Sequence, residues 1–191
     1  MNIGKQRPSL ETSRLILRPF ALSDAADVQR LAGAREIAST TLLIPYPYED
    51  GIAEEWIGKQ QETFEKGKNV TCAVTLKEDG TLVGAVGLSI TPEHEHAEIG
   101  YWIGVPYWGR GYCTESARAI LEYGFNVLAL ERIFGNHFTS NPASGRVMRK
   151  LGMTHEGCHR RHIKKWDVFE DEETWAILKS EWEKRADERW L

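Results

Sequence analysis

One stretch constrains the fold of this 191-residue chain more than any other: Tyr101-Trp-Ile-Gly-Val-Pro-Tyr-Trp-Gly-Arg-Gly-Tyr-Cys-Thr-Glu-Ser116. It leaves a strand-like segment, Glu95 to Val105, which Pro106 stops. It turns through Gly109 and Gly111. It then enters a pattern in which Ala117, Ile120, Leu121, Gly124 and Leu128 share one helical face. Arg132 to Thr139 reads as the next strand. Two strands joined through a helix in this way lie parallel, and here they are expected as neighbours in one sheet.

The rest of the chain fits around that unit. Leu15 to Phe20 reads as a short first strand. Ser23 is expected to cap a helix that buries Ala25, Val28 and Leu31 and ends at Gly33. Thr40 to Tyr48, with Pro45 and Pro47, reads as loop. Ile52, Trp56, Gln60 and Phe64 recur every four residues and predict a single helix ending near Gly67. Val70, Cys72 and Val74 alternate as a strand, Asp79-Gly80 signals a hairpin, and Thr81 to Ile90 returns. Asn141-Pro142 opens a helix carrying Val147 and Leu151, closed by Gly152. Thr154 to His162 and Glu173 to Leu178 read as a last hairpin, followed by a helical tail to Leu191. The order βααβββαβαββ predicts an α+β fold: a mixed, mainly antiparallel twisted sheet with helices on both faces. No linker is visible, so residues 1–191 are read as a single domain.

Composition narrows the function classes. Lys and Arg number 24 against 28 Asp and Glu, a net charge of −4. That excludes a uniformly basic nucleic-acid binder, and direct nucleic-acid binding is not expected. No apolar run is long enough to span a membrane, and the N-terminal residues have no secretory signal pattern. Three widely spaced cysteines, Cys72, Cys113 and Cys158, imply no disulfide framework, and a cytoplasmic setting is expected.

The glycine turn carries the chemistry. Glycines let successive backbone N–H groups converge, and the helix that follows adds its partly positive end, a combination that binds phosphate without a lysine. It is not a P-loop, because no Gly-Lys-Ser/Thr follows. It is not a full Gly-x-Gly-x-x-Gly either, because Thr114 stands at the last position.

With its surroundings, the turn resembles the GNAT superfamily of acyl-CoA-dependent N-acetyltransferases, and within it the branch of ribosomal-protein alanine N-acetyltransferases. The residues carrying the resemblance are Leu10 to Arg18, Ala97-Glu-Ile-Gly-Tyr-Trp-Ile103, Tyr107-Trp-Gly-Arg-Gly-Tyr-Cys-Thr-Glu115, Ser140-Asn-Pro-Ala-Ser144 and Lys150-Leu-Gly-Met153. The resemblance implies a GNAT-like fold and transfer of acetyl from acetyl-CoA to a primary amine by direct attack, with no metal. A protein N-terminal α-amine is the expected acceptor. A small amine (polyamine, amino acid or antibiotic) is the alternative, and a non-catalytic CoA-binding module is a further one. Oligomeric state is not readable.

The resemblance also implies a site. The pantetheine arm would pair with backbone near Ile103, Gly104 and Val105. The diphosphate would rest on the turn formed by Gly109, Arg110, Gly111, Tyr112, Cys113 and Thr114, and Asn141 would reach the cofactor. Family members often use a tyrosine acid in the helix that here runs from Asn141 to Leu151. That helix contains no tyrosine, so Ser144 is the candidate proton donor. Glu98 is the candidate base. Strand alternation puts it on one face with Gly100, Trp102 and Gly104, opposite Ile99, Tyr101, Ile103 and Val105.

Other groupings rank lower. His94 and His96, and Cys158-His159 with His162, lack the spacing of a zinc site. Cys113 begins a helix, where a thiol can acidify, yet no histidine is placed beside it, and filling a small slot is the preferred reading. Arg160, Arg161, Lys164 and Lys165 are expected to pair with the acidic run Asp167 to Glu173 across the hairpin.

Overall fold

The computed structural model describes residues 6–188. Its strands are β1 (Leu10–Glu11), β2 (Leu15–Arg18), β3 (Asn69–Leu76), β4 (Leu82–Thr91), β5 (His96–Ile103), β6 (Arg132–Phe138), β7 (Thr154–Lys165) and β8 (Val168–Leu178). Its helices are α1 (Ala25–Ala32), α2 (Arg35–Ala38), α3 (Ile52–Gly58), α4 (Gln60–Glu65), α5 (Tyr112–Asn126), α6 (Pro142–Leu151) and α7 (Lys179–Glu188). The strands form one sheet of eight in the order β1-β2-β3-β4-β5-β6-β8-β7. β5 and β6 are adjacent and parallel, and every other neighbouring pair is antiparallel. This is the expected α+β arrangement around a crossover helix, α5.

Alternation decides which helix covers which face. Val70, Cys72 and Val74 of β3 join Val86, Leu88, Ile99 and Ile103 in a cluster with Ala117, Ile120, Leu121 and Phe125 of α5. Ala73 and Ala85 point the other way, into a second cluster with Val28 and Leu31 of α1 and Ala53 and Ile57 of α3. Small alanines on that face let α1 and α3 lie close to the sheet. Gly124 lets α5 do the same, because a Cβ there would sit 2.7 Å from Ile133 Cδ1.

The structure differs from the sequence expectations in several places. β1 pairs with β2 and adds a strand before the expected first one. Ser23 is not a helix cap. A 3-10 turn, Leu22–Asp24, precedes α1, and Asp24 accepts the Ala21 N–H and a two-pronged hydrogen bond from Arg18. The single helix expected over 52–67 breaks at Lys59 into α3 and α4. Gly58 weakens the helix there, and the Gln60 side-chain amide donates to the Trp56 carbonyl, the acceptor its own backbone N–H would use in an unbroken helix. The buried positions are Ala53, Ile57, Gln60 and Phe64, with Ile52 and Trp56 only partly covered.

The last hairpin is longer than expected. β7 and β8 run almost to the tip, where Trp166 and Asp167 take φ of 48° and 65° in the two-residue turn. The added residues, 163–165 and 168–172, carry no alternation that a sequence reading could follow, whereas Trp175, Ala176 and Ile177 of β8 are buried. The tail beyond residue 188 lies outside the described residues. Among the described residues, no helix is long and apolar enough to cross a membrane.

Candidate active site

The parallel pair β5–β6 is joined at three positions only: His96 with Arg132, Ala97 with Ile133 and Glu98 with Phe134. Past Glu98 the strands part. β5 stays on β4 up to Ile103, and β6 stays on β8 up to Phe138. A wedge therefore opens in mid-sheet at Glu98. The Gly104 N–H donates to the Val83 carbonyl on the β4 side at 2.8 Å. Successive residues of an extended strand point alternately sideways, so the backbone groups of Tyr101 and Ile103 point into the wedge. The Ile103 carbonyl is taken by the Trp108 indole N–H at 2.5 Å. Beyond the strand end, Val105 and Pro106 line a cavity of about 370 Å³ with Arg30, Leu31, Ala34 and Glu36.

The glycine turn stands at one end of the wedge. Gly109 and Gly111 adopt φ of 75° and 82°, the left-handed region that costs other residues strain. The first backbone bond into α5 is Glu115 N–H to the Gly111 carbonyl. The N–H groups of Tyr112, Cys113 and Thr114 have no carbonyl one turn back, so they remain donors for a ligand. A Cβ built on Gly109 meets nothing within 4 Å, so the cradle is open to an incoming group. These free donors and the open space fit a diphosphate.

Behind the cradle lies a clamp that sequence reasoning missed. Glu115 accepts hydrogen bonds from the hydroxyls of Thr12 (2.7 Å) and Ser13 (3.0 Å) and from Arg14 N (2.9 Å) and Nε (2.8 Å). Arg14 Nη1 also donates to the Arg110 carbonyl at 3.0 Å, and its guanidinium lies 4.8 Å over the Tyr112 ring. Burial would raise the Glu115 carboxyl, but these donors outweigh it and hold the group below its ordinary range. Both halves of the clamp lie in segments that carry the family resemblance, but their separation in sequence hides their contact.

Glu98 and Ser144 border the wedge from opposite faces of the sheet. Glu98 is partly buried and accepts Asn136 Nδ2 at 3.0 Å on Oε1. Thr174 donates its hydroxyl to Asn136 Oδ1 at 2.8 Å. Burial pushes the Glu98 carboxyl up, the Asn136 hydrogen bond opposes this, and the charge of Glu172 adds to the rise. Ser144 lies in the first turn of α6, 8% exposed, and its Oγ is 2.8 Å from the Tyr101 hydroxyl. Burial pushes the Tyr101 phenol up, so it stays protonated. Asn141 caps α6 with Oδ1 accepting from Ser144 N–H, a bond that does not use its amide N–H₂ group. A tyrosine absent from the helix thus reaches the same serine from β5. Neither Asn136 nor Tyr101 was singled out from sequence, because each meets its partner across strands.

Cys113 does not behave as an acidified helix-start thiol. Burial pushes it up to about 12, so desolvation outweighs the helix end and the residue fills space. The basic hairpin patch pairs only in part. Lys164 reaches Asp167, but Lys165 Nζ donates to the carbonyls of Leu42 and Ile44 and ties the hairpin to the 40–48 loop.

Comparison with known proteins bears on the family and the fold. Residues 14–154 match the acetyltransferase (GNAT) domain model. The uncharacterized N-acetyltransferase YnaD of Bacillus subtilis (strain 168) is 34% identical over 175 residues, 91% of this chain and 98% of its own. RimL, a ribosomal L7/L12 α-N-protein acetyltransferase solved with coenzyme A, has a similar fold. It gives a TM-score of 0.82 at 18% identity, covering 90% of this chain and 98% of that one. A spermidine N-acetyltransferase SpeG chimera from Vibrio cholerae gives 0.78 at 22% identity, covering 91% and 100%.

Proposed function

The chain belongs to the GNAT acetyltransferase family and is an acetyl-CoA-dependent N-acetyltransferase, and from that premise we propose that its acceptor is a protein N-terminal α-amine. We take residues 1–191 to act as one domain, in a reducing cytoplasmic setting that suits its free thiols.

The observation that carries the reading is the wedge that begins at Glu98, with a carboxylate on one face and the Ser144–Tyr101 hydroxyl pair on the other. The backbone of Tyr101 and Ile103 would pair with the amides of the pantetheine arm as a short added strand. The N–H groups from Gly109 to Thr114 would hold the diphosphate, and the Asn141 amide would hold the arm. An acceptor amine entering from the Glu98 face must lose a proton. Its attack on the thioester carbonyl forms the C–N bond, a backbone N–H near Val105 would hold the oxyanion, and collapse expels the CoA thiolate. Ser144, backed by Tyr101, would give that thiolate its proton. Glu98, directly or through one water, would take the proton from the amine.

An α-amine asks little of such a base. With a pKa of about 7.7–8.0 it is substantially neutral near physiological pH, whereas a lysine near 10.4 would need about 3 kcal/mol more help. One observation favours a second reading. Glu172 lies close enough to Glu98 to raise its carboxyl, so the acceptor face carries two carboxylates, which suits a small polycationic amine. A thiol-release screen with acetyl-CoA and three acceptor sets (N-terminal peptides, polyamines, aminoglycosides) separates the two. Release with peptides alone supports the α-amine reading. Release with polyamines alone overturns it, and release with none of them favours a binding module.

A further inference from the structure

We infer that His159, His162 and Glu172 form a binding site for a divalent cation of the zinc, nickel and copper class. Apart from Glu172, whose charge also reaches Glu98, the site lies outside the acetyl-transfer machinery, and its test by metal uptake does not depend on the acceptor reading.

Residues three apart on a regular strand point to opposite faces, so His159 and His162 should not meet. A large bulge in β7 brings them together. His159 pairs with Glu172 and Ile163 pairs with Glu170, so Arg160, Arg161 and His162 on β7 stand opposite Asp171 alone on β8. The extra residues turn the chain and re-aim His162. Arg161 takes φ of 52° at the centre of the bulge. Its N–H donates to Asp171 Oδ1 at 2.6 Å, and its guanidinium lies 4.8 Å over the Phe169 ring. The bulge is therefore held by bonds of its own.

As a result, the two imidazole rings lie 5.1 Å apart and His162 Nε2 is 3.9 Å from Glu172 Oε2. Among the described residues this is the group whose ligand atoms come together, all within 4.8 Å of one another. Two imidazoles and one carboxylate are the donor set of an open three-ligand zinc site, with water completing the shell. Such a site wants donors drawn in to about 3.3 Å of one another, given bonds of about 2.0–2.2 Å. Both histidines are exposed and free to rotate that far, while Glu172 is 14% exposed and held in the sheet. Hard cations such as Mg²⁺ and Ca²⁺ prefer all-oxygen shells and would not choose two imidazoles.

The test uses the native chain and zinc chloride alone, by calorimetry, with Co²⁺ absorption as a second readout. The expected result is one saturable equivalent per chain and a tetrahedral cobalt band. In His162→Ala and in Glu172→Gln, affinity should fall about 10- to 100-fold and the band should be lost, with far-UV circular dichroism unchanged. Two results would overturn the site. One is the absence of a saturable equivalent. The other is unchanged uptake by the His159→Ala/His162→Ala double variant, which would place the ion elsewhere, such as at His94 and His96.

Discussion

Asn136 donates its side-chain N–H to Oε1 of Glu98 across 3.0 Å, from the strand that parts from β5 just beyond that point. The carboxylate only accepts, so the amide nitrogen must face it, and Thr174 then donates its hydroxyl to the amide oxygen. The bond stabilises the ionised form of Glu98, whereas burial and Glu172 oppose it. Asn136→Leu should therefore move the acid limb of the kcat/KM profile to higher pH, and Glu172→Gln should move it lower. If neither variant shifts that limb, Glu98 is not the group that titrates there.

The same residue links activity to stability. A carboxyl whose folded pKa lies above its unfolded value favours the fold fully below the unfolded pKa, and that contribution is lost as pH rises through the folded one. Glu98 is such a group. Glu98→Gln should raise the thermal midpoint at pH values above the elevated pKa and leave it little changed at acid pH. At the same time it should lower kcat by about 10²-fold or more, as loss of a general base does. Thermal melts across pH, run beside acetyl-transfer assays, check both halves. Equal activity in the variant removes Glu98 from the mechanism.

Ser144 and Tyr101 act on one proton, so their effects should not add. Their hydroxyls are 2.8 Å apart, with Ser144 buried and Tyr101 partly buried. Ser144→Ala and Tyr101→Phe should each slow transfer, and the double variant should be little worse than the slower single one. The hydrogen bond itself contributes about 1 kcal/mol, so loss of structure alone cannot account for a large fall in kcat. Additive effects in the double-mutant cycle would mean that the two groups work separately.

The parts of this arrangement that depend on local pattern were legible in the sequence. Alternation from Glu95 to Val105 put Glu98 and Tyr101 on opposite faces, and the glycines before α5 marked the cradle. Asn141-Pro142 marked the α6 cap, which Asn141 makes to Ser144 N–H. What stayed hidden depends on register. The family resemblance implies that strands 95–105 and 132–139 splay apart, but nothing in residues 132–138 says that β6 leaves β5 after three pairs, so Asn136 was read only as part of a strand. The acidic first half of β8 lacks alternation, so Glu172 fell in a presumed loop, and Thr174 was read only as part of a strand. The β7 bulge changes which residues share a face, and no local rule announces it.

The clamp between Glu115 and the 12–14 turn should govern cofactor affinity rather than the chemical step. It ties the start of α5 to β1 and β2 through five contacts to one carboxylate, and Arg14 ties the Arg110 carbonyl into the same unit. None of these groups borders the wedge. Glu115→Ala should raise the KM for acetyl-CoA about tenfold through loss of a positioned cradle, with kcat changed by less than about twofold. Calorimetry with CoA should show the same loss. A lowered thermal midpoint with unchanged KM would reduce the clamp to a purely structural role.

Gly109 and Gly111 offer a sharper test, because the same substitution meets different surroundings at each. Both hold left-handed backbone, which costs a residue with a Cβ about 1–2 kcal/mol. A Cβ at Gly109 meets nothing within 4 Å, whereas one at Gly111 lies 3.4 Å from Arg14 Nη2. Contact at 3.4 Å is ordinary, so Gly111→Ala should strain the turn without pressing on the clamp, whereas the Gly109 methyl would stand in the open space of the cradle, and Gly109→Ala should lose more cofactor affinity. The two should lose similar stability in the absence of CoA, since the backbone strain is shared and the guanidinium can shift. In the presence of saturating CoA, Gly111→Ala should recover more of its thermal midpoint, because ligand stabilisation grows with the ratio of concentration to Kd. The opposite ranking would show that the bound diphosphate does not fill the open space at Gly109.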